Sequence, residues 1–428
     1  MSPLTIKTRS LSQWLLVLLP VSLLFSKRLN VLVIILYAVA VLLQPHLWQR
    51  VKGLRKFRWL WVFLLFIALH ASSVLWSANE ATALFSLEKK AALFVLPVLI
   101  GLDRDIDFVG FRQCLYSLVL GCCISIWFCL LLALRNYFQT GKASFLFYHA
   151  FSWPLDELNA IYFSFFTFSG LVFGHYLIRI KYKPLANIRL QIFVIFSLLM
   201  GLVLLSSRLF IVLTLLYLSR LAFLNYAKIV SKRMRVLGVF VVISFLGGVL
   251  FFSQIRDRFD QLLHSQFEVL QQDQFEYDTP FNGLTIRLLL WRFAGEIMTE
   301  EKAYLAGVGV GDSQDLLDAT IIEHNVYHGN PALGDQGYLG YNFHNQFVET
   351  WVQLGILGSI SWLLLLGVGW RKWKWDWNHP ILYFNIAVLA FSMIESLLAR
   401  QHGVVFFALF VSIFQIISEH EAPQKPFT

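Results

Sequence analysis

The sequence predicts an all-α, polytopic membrane protein with about twelve transmembrane helices and one long outer loop that contains amphipathic helices. Three observations predict it. The 428-residue chain is 57% hydrophobic and 14% charged, whereas soluble domains carry about 25% charged residues. Apolar runs such as Leu29 to Leu43, Trp59 to Trp76, Leu190 to Leu205 and Val236 to Phe252 can cross about 30 Å of hydrocarbon as helices once their flanks are included. These runs lack the alternation that barrel strands need, and a single long polar block interrupts them near residues 253–347.

Taken in order, the spans fall at about 12–26, 29–45, 58–76, 86–102, 113–134, 159–178, 190–206, 208–226, 236–252, 348–370, 380–397 and 403–418. The first follows Lys7 and Arg9 in the manner of a signal peptide. No small-residue cleavage site comes after it, and Lys27-Arg28 leads straight into the next run, so it reads as an uncleaved helix. With the amino terminus in the cytoplasm, four basic loops lie inside, as the positive-inside rule asks. They are Arg50 to Lys56, Arg179 to Arg189, Lys228 to Arg235 and Arg371 to Lys374, and Lys27-Arg28 is the dissenting pair. Both termini are then cytoplasmic. The chain divides into residues 1–252 with nine spans, an outer loop at 253–347, and residues 348–428 with three spans and a tail. The four cysteines, Cys114, Cys122, Cys123 and Cys129, share one apolar helix as lipid-facing or packing residues. Neither a disulfide framework nor a cysteine metal site is expected. The net charge of +9 is dispersed over short loops, which excludes a nucleic-acid footprint.

The outer loop, Ser253 to Phe343, inverts this balance with five basic residues against fourteen acidic ones. From Ile255 to Phe275, apolar residues at helical spacing predict an amphipathic helix that lies on the membrane or caps a cavity. Ile286, Leu289, Leu290, Phe293, Ala294 and Ile297 predict a second helix, capped by Thr285 or Asn282. Arg287 falls in its first turn, one turn before Trp291. Gly307, Gly309 and Gly311 lack the flanking elements of a nucleotide-binding loop and read as a tight turn, with Asp312 capping a short helix. Tyr327 to Asn342 is rich in Gly, Asn, Pro and Tyr, and suits a loop that moves over a substrate.

His344-Asn345 opens the tenth span. This puts His344 at a helix amino terminus, which suits the neutral imidazole of a general base; a merely capping histidine is the alternative. His324, His328 and His344 share the loop, but no zinc motif spaces them, so no metal is expected. Ser206-Ser207-Arg208 lies on the same outer face, where Arg208 serves a substrate or snorkels to the interface. Glu395, Arg400, Gln401 and His402 fill the last outer turn. Three outer connections thus bring Arg208, Arg287 with His344, and Arg400 to one membrane surface.

The pattern Arg287-x-x-x-Trp291, then Gly307-Val-Gly-Val-Gly311, then His344-Asn345, then Leu354-Gly-Ile-Leu-Gly358 resembles the hallmark of the bacterial O-antigen ligase and polymerase family. Ser207-Arg208 is similar to the family's other arginine motif, and the resemblance covers about Ser206 to Gly358. Where family members often have a proline before the glycine turn, this chain has Tyr304-Leu305-Ala306. The resemblance implies a GT-C-like helical membrane fold and a metal-independent glycosyltransferase without a cofactor. It implies a donor glycan on undecaprenyl diphosphate and an acceptor hydroxyl on lipid A-core or another glycan, joined at the periplasmic face of the bacterial inner membrane. Arg208 and Arg287 then hold the diphosphate, since arginine forks match phosphate oxygens. His344 acts as base in an inverting displacement or binds diphosphate itself, and Asn345, Trp291, Glu349 and Arg400 support the site. A short second loop, Asn136 to Leu158, favours ligase over polymerase. A protein O-glycan ligase and a lipid-linked-sugar transporter are the further alternatives, and a transporter needs charged groups at mid-bilayer.

Overall fold

The computed structural model describes residues 10–155, 158–227, 247, 256, 260, 267–277, 279–330, 334–370 and 376–420. Among these the regular structure is helical, apart from one isolated bridge between Asn330 and Asp335. The expected span at 236–252, most of the amphipathic stretch from Ile255, and the basic residues Lys7, Arg9, Lys228 to Arg235 and Arg371 to Lys374 lie outside the described residues.

The amino-terminal half comprises α1 (Leu11–Phe25), α2 (Lys27–Leu42), α3 (Leu47–Gly53), α4 (Arg58–Ser73), α5 (Glu80–Lys90), α6 (Ala92–Leu102), α7 (Phe108–Thr140), α8 (Tyr148–Ser152), α9 (Ala160–Arg179), α10 (Ile188–Leu205) and α11 (Arg208–Ala227). After the outer segment's α12 (Thr285–Glu300) and α13 (Ser313–Glu323) come α14 (Gln346–Trp370), α15 (Pro380–Ile394) and α16 (Gln401–His420). Five of these, α7, α9, α10, α14 and α16, are each long and apolar enough to cross a membrane. Helix α2 passes the same test only together with Leu47–Lys56, which bends away from it by 105°. The chain is a multi-pass, all-helical membrane protein.

Several boundaries differ from expectation, two of them at charged residues. The span expected at 86–102 is two helices, because Glu88-Lys89-Lys90 belongs to α5, which Asn79 caps by accepting from Thr82 N at 3.1 Å. Only the apolar α6 follows. The span expected at 380–397 stops at Ile394, where Glu395 turns extended. The four cysteines are buried, which resolves their role as packing rather than lipid-facing.

Among the described residues there are two large cores and a small cluster of Ala83, Val310 and Leu354. Within the bundle, α9 and α16 are apolar all round and almost wholly buried, as a central helix must be. Phe165 and Phe166 of α9 meet Phe406 of α16 at ring distances of 4.9 and 4.2 Å. Outside it, Ile286, Leu289, Leu290, Phe293, Ala294 and Ile297 of α12 are all buried, in a second core with Leu317, Ile321, Phe343 and Val352. The residues that predicted α12 are the ones it buries.

Helix α14 joins the cores and is broken at Gly355 (φ 62°, ψ −156°). The glycine turn repairs the break. Val308 N and Gly309 N donate to Val352 O and Gln353 O at 2.9 and 3.1 Å, while Ile356 N and Leu357 N donate to Tyr304 O and Leu305 O at 2.9 and 3.4 Å. Backbones approach so closely that a β-carbon on Gly307 would lie 2.3 Å from Leu354 N. Asp312 corrects one expectation. Its carboxylate makes no cap to its own helix; it accepts from Ala78 N and Asn79 N, each at 2.8 Å, and so ties the outer segment to α5. A further correction concerns the end of the amphipathic stretch. Phe267–Gln271 is a 3-10 turn, and the chain then wraps Arg292, which takes Leu270 O, Gln272 O and the Asp273 carboxylate.

Candidate active site

Asn282 fixes the start of α12. Its Oδ1 accepts from Leu284 N and Thr285 N at 2.8 and 3.0 Å, and its own N–H donates to Thr285 Oγ1 at 2.9 Å, a reciprocal cap. Arg287, in the first turn, then reaches the end of α15. Its Nε donates to Ile394 O at 3.0 Å, its Nη1 to Gly283 O, and its Nη2 lies 3.8 Å from Glu395 Oε2. One turn on, Trp291 Nε1 donates to Phe343 O at 2.8 Å. The arginine and tryptophan of this motif therefore grip two different segments, one before α14 and one after α15.

His344 follows Phe343 with φ 47°, its N–H held by Asn342 Oδ1 at 2.8 Å. It lies just ahead of the cap, because Asn345 Oδ1 receives Phe347 N and Val348 N at 2.9 and 3.2 Å. Asn345 also donates to Met393 O at 3.1 Å. His344 Nδ1 stands 3.0 Å from Glu395 Oε1, and its ring meets the edge of Tyr341 at 5.5 Å. Glu349, in the first turn of α14, accepts from Phe343 N at 3.3 Å and Ser396 Oγ at 3.2 Å. It thereby staples the His344 segment to the α15–α16 connection.

Glu395 is the residue on which the site converges. One carboxylate oxygen faces His344, the other Arg287, and the side chain is buried. Burial by itself pushes its carboxyl pKa up, but the His344 hydrogen bond and the charges of His344, Arg287 and Arg400 together bring it below the ordinary value. It is therefore a carboxylate at neutral pH. Arg208 begins α11 two residues after Ser206, whose left-handed backbone (φ 51°) turns α10 into α11. A β-carbon on Gly283 would lie 3.2 Å from Arg208 Nη2 and 3.3 Å from Arg287 Nη1, so the two guanidinium groups are neighbours.

Of the residues the sequence singles out, Arg287 and His344 meet at Glu395, Arg208 lies beside Arg287, and the charge of Arg400 acts on Glu395. Trp291, Asn345 and Glu349 hold the backbone that carries His344. His324 is not in this group, as it stacks on Phe293 at 4.7 Å and pairs with Glu296 at 3.0 Å. His328 packs against Tyr277. Among the described residues no three His, Cys, Asp or Glu side chains are grouped to hold a metal ion. A cavity of about 1010 Å³ opens elsewhere, between the α4–α5 connection and the outer segment, where Trp76, Glu80, Glu301 and Asp315 line it.

Sequence reasoning named Glu395 in the last outer turn without making it a site residue. The available signal was a lone carboxylate at the end of an otherwise apolar run, which is costly unless used.

A family model described as O-antigen ligase matches residues 193–363. That segment contains Arg208, Arg287, Trp291, the glycine turn, His344 to Glu349 and the break at Gly355; Glu395 and Arg400 lie beyond it. Among curated proteins no relative matches the chain.

Proposed function

We propose that this chain, which carries the O-antigen ligase family domain and with it an enzymatic role of the ligase or polymerase type, is a ligase. It would move a glycan from undecaprenyl diphosphate to a sugar hydroxyl of lipid A-core at the periplasmic face of the bacterial inner membrane. The observation that carries the reading is the Glu395 carboxylate between His344 and Arg287, with Arg208 beside Arg287. In a neutral imidazole whose Nδ1–H donates to Glu395, the other nitrogen, Nε2, keeps its lone pair. It takes the proton of the acceptor hydroxyl as that oxygen attacks the anomeric carbon. The bond from that carbon to the diphosphate breaks, its electron pair leaves with undecaprenyl diphosphate, and the configuration inverts. Glu395 balances the imidazolium so formed. Two adjacent guanidinium groups suit a diphosphate, whose negative charge grows as the bond breaks. No cofactor or metal enters this scheme, and the remaining spans would bring the total to about twelve.

The test is transfer by the purified protein from undecaprenyl-diphosphate-linked glycan to lipid A-core, together with the glycan profile of a deletion strain. A strain that keeps core but lacks long chains supports ligase. Core capped by single repeats would identify a polymerase instead, and loss of glycan from a protein would identify a protein O-glycan ligase.

A further inference from the structure

At the far end of the bundle from His344 there is a second charged site. Helix α4 starts there beside Phe57 and ends near Ser77 and Asn79, which touch the outer segment; α16 starts beside Arg400 and reaches this end at Ile416. A cavity of about 330 Å³ lies here, and Arg50, Lys56, Phe57, Leu102, Arg104 and Ile416 are among the residues that line it.

Arg50 is its fixed floor. The residue is only 6% exposed. Its Nη1 donates to Leu102 O and Gln44 Oε1 at 2.9 and 3.1 Å, and its Nη2 to Val41 O and Gln44 O at 3.0 and 2.9 Å. The remaining donor, Nε, has no acceptor, an unusual state for a buried cation. Lys56 and Arg104 are exposed at the rim. Neither they nor Arg50 forms an ion pair among the described residues. The one carboxylate in the wall, Asp103, already accepts from Ser12, Tyr37, Gln44 and the Asp105 N–H. Two exposed cations, Lys56 and Arg104, thus rim a space with the buried Arg50 in its wall, and the nearby carboxylates, Asp103 and Asp105, are both held by Gln44.

The surroundings choose the ligand. The segment Leu47–Lys56 turns 105° from α2 and so runs along the membrane plane when α2 crosses it. It exposes Trp48, Val51 and, just ahead of it, Leu43, with Lys52 set over the Trp48 ring at 5.6 Å. Exposed tryptophan beside lysine marks the headgroup layer. Basic pockets between helices at that level suit anionic lipid headgroups.

We propose that this cavity binds the phosphate of an anionic phospholipid from the leaflet opposite the His344 site, with Lys56 and Arg104 as its charged rim and the buried Arg50 as a fixed positive charge in its wall. The acyl chains lie along the Trp48 and Leu43 side. The site is independent of the transfer chemistry.

The test uses the full-length protein in neutral detergent, with retained lipids counted by native mass spectrometry. The expected result is one phosphatidylglycerol per chain, held at least tenfold more tightly than phosphatidylcholine. The Lys56→Gln/Arg104→Gln double variant should lose about tenfold or more of that preference. Both residues are exposed, so the bundle should stay folded; if the double variant fails to fold, each single substitution should still lose part of the preference. Equal retention of the two lipids, or an unchanged preference in the variants, would overturn the proposal. Displacement of the lipid by millimolar inorganic phosphate would also overturn it, by showing a site for soluble phosphate.

Discussion

At His344 two substitutions separate chemistry from positioning. His344→Ala should reduce transfer by about a hundred- to ten-thousandfold while protein level and insertion stay normal, since the residue is outside both hydrophobic cores. Near-normal transfer would remove it as base. If the variant instead turns over at saturation but no longer binds donor, His344 belongs with the diphosphate. Glu395→Gln keeps an oxygen for the Nδ1–H but loses the charge that balances the imidazolium. A fall of about ten- to hundredfold is expected in the maximal rate rather than in donor affinity. The same substitution has a sign in stability. The Glu395 pKa is depressed below 4.5 in the fold, so its stabilisation is present above its unfolded pKa and fades as pH falls through the folded one. Wild type should therefore unfold at higher temperature than Glu395→Gln at pH 7, and the gap should narrow on acidification below 4.5. Arg287→Lys replaces a fork that reaches Ile394 O, Gly283 O and Glu395 by a point charge, and transfer should drop about ten- to hundredfold. Arg287 and His344 were legible in the sequence because they lie in the one long polar block that interrupts the apolar runs. The importance of Glu395 was not, since its contact with His344 spans 51 residues and forms only when the α15–α16 connection returns to the start of α14.

Among the elements, α12 was legible almost residue for residue, because its apolar positions recur with the helical period and fill one core. The glycine turn was legible as a turn but not in its purpose. Its backbone bonds are spent on α14, and no local pattern announces a partner about 45 positions away. The 3-10 turn at Phe267–Gln271 was hidden for a similar reason, as Arg292 draws the following carbonyls away from a helix that the periodicity favours. This account predicts opposite outcomes for two glycines. Gly307→Ala must adopt φ 72° against the backbone of Leu354, and should cost more than about 2 kcal/mol in thermal unfolding or abolish folded protein. Gly295 lies within α12 with nothing near a β-carbon, so Gly295→Ala should stabilise by about 0.5 to 1 kcal/mol. Equal effects at the two positions would refute the splice.

For the whole molecule, composition sufficed for the class and the hydropathy pattern for most helices, while boundaries failed where charge interrupts an apolar run, as at Glu88 to Lys90. The proposed reaction runs on the His344–Glu395 pair and two arginines, and among the described residues no three His, Cys, Asp or Glu side chains are grouped to hold a metal ion. Purified protein should therefore keep its transfer activity in EDTA; loss restored by a divalent cation would overturn the scheme. The break at Gly355 also bears on how the chain is made. In hydrocarbon every backbone group needs a partner, yet the carbonyls of Val352 and Gln353 and the amides of Ile356 and Leu357 find theirs only in residues 304–309. A newly synthesised α14 is therefore an unfinished helix until the preceding segment has folded onto it. In deuterium exchange of the mature protein, Val308, Gly309, Ile356 and Leu357 should open and close as one unit, since no member of that set can keep its bond after the others are lost.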